Sequence, residues 1–120
     1  MRAAVVGCAT LSLVVSSGAG HAAGRMTPAE IQSTFFTGQT FTAATPSNVK
    51  FKMTFSPDGK VTRAPLGSSG AKGEGTWKLS NEGFCTKWQG GQSNCFAVLP
   101  NGANKWSVLK GTAIVATWSK

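Results

Sequence analysis

Histidine is almost absent from this chain. The one present, His21, stands at the end of an apolar N-terminal run. Carboxylates are scarce too: Glu30, Asp58, Glu74 and Glu82 are the four acids among 120 residues. Cysteine occurs three times, at Cys8, Cys85 and Cys95. Each shortage removes a class of chemistry. With no histidine after residue 21, neither a Ser-His-Asp triad nor a Cys-His pair can be assembled. Zinc and copper sites built on histidine go the same way, and scattered acids make a poor calcium or magnesium cage. A glycosidase needs two carboxyl groups flanking one bond. Glu74 and Glu82 stand at opposite ends of one expected strand, roughly 26 Å apart at about 3.3 Å per residue. Glu74 alone, between Gly73 and Gly75, is the single catalytic candidate, and a charge at a strand border accounts for it better. The chain reads as a non-enzyme with no cofactor and no metal site.

Long hydrophobic runs are missing as well, with one exception. Arg2, the apolar stretch from Ala3 to Val15 and the small residues leading to Gly20-His21-Ala22 have the layout of a cleaved secretory signal. The stretch is short for a membrane span. Residues 1–23 are therefore read as a signal peptide and 24–120 as one domain, with a retained N-terminal anchor as the alternative. Cys8 has too little hydrophobic chain before it for lipoprotein attachment. Cleavage removes Cys8, and His21 leaves with the signal or sits at the new end. Cys85 and Cys95 stay behind. One pair of cysteines in a small exported domain is the ordinary setting for a disulfide, which places the protein in the periplasm or outside the cell. The alternative is two reduced, buried thiols.

The spacing of that pair agrees with a hairpin. If Cys85 opposes Cys95, then Thr86 faces Asn94, Lys87 faces Ser93 and Trp88 faces Gln92. Gln89-Gly90-Gly91 is left as a three-residue loop. Such loops need a residue at positive φ, which glycine supplies without steric cost. Directly opposed cysteines in an antiparallel pair are close enough to bridge.

Positive charge is plentiful. Twelve Lys and Arg give the chain a net charge of +8. They are spread singly rather than in a run. Such a surface associates with anionic polymers of an envelope, such as lipopolysaccharide phosphates or acidic polysaccharide. Lysines on solvent faces also serve simply to keep a β-protein soluble. Nucleic acid is a poor fit, because no recognised motif is present and export removes the partner. Gly67-Ser-Ser-Gly70 and Gly70-Ala-Lys-Gly73 look like phosphate loops but lack the Gly-Lys-Thr/Ser ending and a following helix.

Taken in order, Thr27-Pro28-Ala29-Glu30 is a helix start with a capping box, and Ile31 and Phe35 follow at helical spacing up to Gly38. A first strand covers Gln39–Thr45. Val49, Phe51, Met53 and Phe55 then alternate with Lys50, Lys52, Thr54 and Ser56, the period of a half-buried strand. Ser56-Pro57-Asp58-Gly59-Lys60 is a turn into Val61–Ala64. Pro65 to Gly73 is a loop. Glu74–Leu79, Phe84–Trp88, Asn94–Leu99, a strand around Trp106 and Val108, and Thr112–Trp118 complete the chain. In the last of these, Ile114, Ala116 and Trp118 are expected on one face. The fold class is mainly β: a small antiparallel, lipocalin-like barrel or a sandwich of seven to eight strands with one short N-terminal helix.

Gly75-Thr-Trp-Lys, then Cys85-Thr-Lys-Trp88, then Cys95, resembles small exported bacterial β-proteins grouped as a domain of unknown function. The resemblance implies compartment and fold but no activity. Gly75-Thr-Trp-Lys-Leu79 followed by Cys85 is also similar to periplasmic barrel inhibitors of secreted metalloproteases. Those block the protease with an N-terminal tail and have a wider disulfide. Here Gly24-Arg25-Met26 runs straight into the expected helix.

The expectation is a monomeric binding protein of the envelope. Its disulfide-pinned scaffold would present Trp88, Lys87, Gln89 and Gln92, with the Pro65–Gly73 loop beside them, to an anionic envelope component or a small ligand. Inhibition of a secreted protease or other hydrolase is the alternative.

Overall fold

The computed structural model describes residues 24–120, and the expected signal segment, with Cys8 and His21, lies outside them. One helix, α1 (Pro28–Phe35), precedes eight strands: β1 (Thr40–Ala44), β2 (Lys50–Phe55), β3 (Lys60–Pro65), β4 (Gly73–Leu79), β5 (Phe84–Trp88), β6 (Ser93–Pro100), β7 (Lys105–Lys110) and β8 (Ala113–Ser119). Each strand pairs antiparallel with the next, and β8 returns to β1 through Thr42–Ser119, Ala43–Trp118 and Ala44–Thr117. That last ladder makes the fold a closed barrel and sets the sandwich aside.

The short helix is fixed by its ends and by one face. Thr27 Oγ1 accepts from the Glu30 N–H at 3.1 Å, while Glu30 Oε1 accepts from the Thr27 N–H at 2.8 Å. An eight-residue helix is marginal alone, so tertiary packing must hold it. Ile31 and Phe35 are buried, and so is Phe36 just after the helix. Phe35 meets Phe41, Trp106 and Trp118 edge-on, and Phe36 stacks on Phe55 with ring centroids 4.3 Å apart. The helix therefore plugs one end of the barrel. Gly38 N–H donates to the Phe55 carbonyl, and Lys120 Nζ donates to the Thr34 carbonyl at 2.7 Å, tying both flanks to that end.

Alternation along β2 does what its pattern expects: Phe51, Met53 and Phe55 are buried while Lys50 and Lys52 are exposed. The β2–β3 turn is closed by Gly59 at φ +95° and by the Asp58 carboxylate accepting from the Lys60 N–H. In β8 the pattern misleads. Val108 pairs with Ala116 but Leu109 pairs with Ile114, so Val115 is an extra residue in the ladder. A bulge reverses the facing of what lies beyond it. Ile114 is consequently 55% exposed rather than sharing the inner face with Trp118.

The disulfide lies on the outer wall, where Cys85 is opposite Lys78 on β4 and Cys95 on β6. Thr86–Asn94 and Lys87–Ser93 follow in the expected register. The ladder stops there: Trp88 and Gln92 do not pair within it. The turn is made instead by Gly90 at φ +78° and by the Gly91 N–H donating to the Trp88 carbonyl. Closing so short a loop constrains the unfolded chain by about 2–3 kcal/mol in the chain-entropy account. Replacing both Cys85 and Cys95 by alanine should lower the melting temperature by roughly 10–20 °C. The far-ultraviolet spectrum should stay native, because β4 and β7 still hold the two strands in place. A thermal melt with and without reductant checks this.

Candidate functional site

The inner residues of the barrel divide it into two halves. Toward the helix they are large: Phe41, Phe55, Phe84 and Trp118 fill the space with Phe35 and Phe36. Toward the other end several inner positions carry almost nothing. Ala43 on β1 and Ala116 on β8 leave the strands without bulk there. The result is a cavity of about 230 Å³ in the upper barrel. Its floor is Phe55, Phe84 and Trp118, and its walls are Phe51, Met53, Phe96, Val108 and Val115. The lining is overwhelmingly apolar, the usual make-up of a small-molecule site.

One charged side chain enters this lining. Arg63, on β3, places its guanidinium carbon 4.7 Å from the Trp88 ring centroid and 5.3 Å from that of Phe51. Gly73 makes this possible. A Cβ on Gly73 would stand 3.0 Å from Arg63 Nε and 3.3 Å from Trp88 Cε3, so the bare backbone of β4 lets β3 and β5 side chains meet across it. Among the described residues Arg63 has no acidic partner, and its buried Nε has no hydrogen-bond acceptor. By contrast Lys110, also on the half of the barrel away from the helix, donates to Asn94 Oδ1 at 2.7 Å. Thr86 and Thr45 are the other polar side chains with aliphatic neighbours in the lining. Thr45 Oγ1 is committed to the β1–β2 turn, accepting from the Val49 N–H.

The residues singled out from sequence are separated by the strand pleat. Trp88 faces into the cavity, half-buried, while its neighbour Lys87 is exposed on the outer wall. Gln89 and Gln92 are exposed in the turn; the Gln89 N–H donates to the Glu74 carbonyl, and the Gln92 carbonyl accepts from Asn94 Nδ2. The loop between β3 and β4 does belong near the site. Gly70 rests on Phe51, where an added Cβ would lie 2.7 Å from the ring. Arg63 is the residue that sequence reasoning missed. It stands in Val61-Thr62-Arg63-Ala64 among many dispersed cations, and its only signal was strand parity with Val61, which put a charge on the inner face.

The remaining cations do not converge. Lys50, Lys52, Lys60, Lys78, Lys87, Lys105 and Lys110 are exposed on five different strands around the wall. Among the described residues no group of acids, cysteines or histidines is arranged to hold a metal. No family model, no curated protein and no solved structure matched this chain.

Proposed function

We propose that this is an exported, non-catalytic binding protein that holds a small, mainly apolar molecule inside the barrel. The observation that carries the reading is the cavity itself. Interiors are normally packed to the density of organic crystals. Here the inner face is aromatic and full at one end, yet leaves a void beside Ala43 and Ala116 at the other. Eight strands give an interior just wide enough either to fill or to hold one small ligand. The disulfide supports a periplasmic or extracellular setting, since such bonds persist in oxidising compartments. The dispersed lysines serve the outer wall; no cluster of them favours a polymer over a molecule in the cavity.

The test is direct. Titration of the oxidised protein with 1-octanol, followed by amide NMR, should saturate. Shifts should be confined to Thr86, Val115, Ala116 and their neighbours, leaving the 80–83 and 101–104 turns unmoved. Ala116→Phe should fill the cavity and weaken octanol binding at least tenfold without loss of the native spectrum. Absence of saturable binding, or binding untouched by Ala116→Phe, would sink the proposal.

A further inference from the structure

Arg63 is more than a lid on the cavity. A guanidinium is permanently charged and carries five N–H donors. Stacking between Phe51 and Trp88 satisfies its faces by cation–π attraction. It does nothing for the in-plane donors, and buried Nε is left without an acceptor. A buried, unsatisfied donor costs about 1–3 kcal/mol, and structures rarely tolerate one without a reason. Beside it, Gly73 carries no side chain that could supply an acceptor, and an added Cβ would crowd Arg63 and Trp88. Among the described residues no carboxylate pairs with it: Glu74 stands in register with Thr62 and is exposed on the opposite face of β4.

We propose that the ligand is a medium-chain carboxylate, its tail in the cavity and its carboxylate on Arg63. This rests on the ligand-binding reading above and adds the head group. The planar carboxylate matches the paired N–H groups of the guanidinium Nη edge, a bidentate pairing that guanidinium favours. One cation balances one negative charge; a dianionic phosphate would leave charge uncompensated beside an apolar wall. The tail length follows from the volume. At roughly 30 Å³ per water-sized group, a cavity of about 230 Å³ takes some seven or eight such groups. The seven tail carbons of an eight-carbon acid match that number, with the carboxylate carbon and oxygens at Arg63. Lys52 and Lys72 border the outer depression that Arg63 also lines, with Glu74 the only acid there. That local excess of positive charge draws an anion toward this side of the barrel.

Three matched probes test it by calorimetry at neutral pH and low salt: octanoate, 1-octanol and octylamine. The expected order is octanoate about 10- to 100-fold tighter than octanol, with octylamine weakest, the span set by one charge-assisted pair. Arg63→Met, which keeps the length and loses the charge, should erase the preference for octanoate over octanol. Arg63→Lys, which keeps the charge and loses the fork, should retain only part of it. If octanoate and octanol bind the native protein equally, the carboxylate assignment is overturned and the apolar-ligand reading stands. If octanoate is preferred but Arg63→Met leaves that preference unchanged, Arg63 is not the receptor and the assignment fails too. If none of the three binds, both readings fall together.

Discussion

Phe55→Ala should cost about 3–5 kcal/mol and lower the melting temperature by roughly 15–30 °C. Phe55 is fully buried, and its ring meets those of Phe36, Phe41, Phe84 and Trp118. It is the point where the post-helix segment, β1, β5 and β8 touch one another. Truncation would remove four ring contacts and open a void that the closed wall cannot collapse to fill. For a domain of this size the loss is a large part of the total, which is about 5–15 kcal/mol. The packing at the plugged end would loosen with it, so Phe36 and Trp77, whose rings lie 4.4 Å apart, should become more accessible. Urea denaturation monitored by tryptophan fluorescence reads both. Leu66→Ala, at a loop residue 49% exposed, should move the midpoint by less than about 0.5 kcal/mol. Equal effects from the two substitutions would contradict a packed lower barrel.

Gly75→Ala is the second large effect expected, and it comes from a single methyl group. The added Cβ would collide with the Lys87 carbonyl oxygen and lie 2.9 Å from the Trp88 Cα. Both are backbone atoms of the neighbouring strand, so no rotamer change relieves the clash. The β4–β5 ladder must part where Gly75 faces Trp88. Overpacking of this kind costs about 1–3 kcal/mol, and more where the backbone itself must shift. Because Trp88 is displaced, ligand binding should fall with stability, although Gly75 is not itself in the cavity lining. Gly90→Ala is the comparison. It has open space around it but sits at φ +78°, so only the modest strain of a left-handed residue applies, about 1–2 kcal/mol. Thermal melts of both variants, with octanol binding on each folded one, separate collision from strain.

Much of the fold was legible because its signals are local. The Thr27–Glu30 box, the Phe51/Met53/Phe55 alternation and the Cys85–Cys95 register each need only a few consecutive residues. What was not legible depends on residues far apart. Closure needs β1 to meet β8, and nothing in Thr40–Ala44 names its partner across the chain. The bulge at Val115 shows only in the pairing of β8 with β7, so Ile114 was assigned to the wrong face. The site was half legible. Trp88 was chosen as an exposed platform, and it does contribute, but from inside the barrel. Arg63 was invisible because its environment is made partly by an absence, the side chain that Gly73 does not have.

Closure also limits how any protein partner could engage this molecule. Each of the eight strands already has a neighbour on both sides, and where β5 leaves β6, the Val98 carbonyl accepts from the Met26 N–H instead. Strand addition, the route by which sheets recruit extended peptides or zip into fibrils, is left among the described residues to short overhangs such as Ala113–Ala116 of β8, which lie beyond the three-residue ladder to β1. Along the fully paired wall, a partner must make contact through side chains or through the mouth.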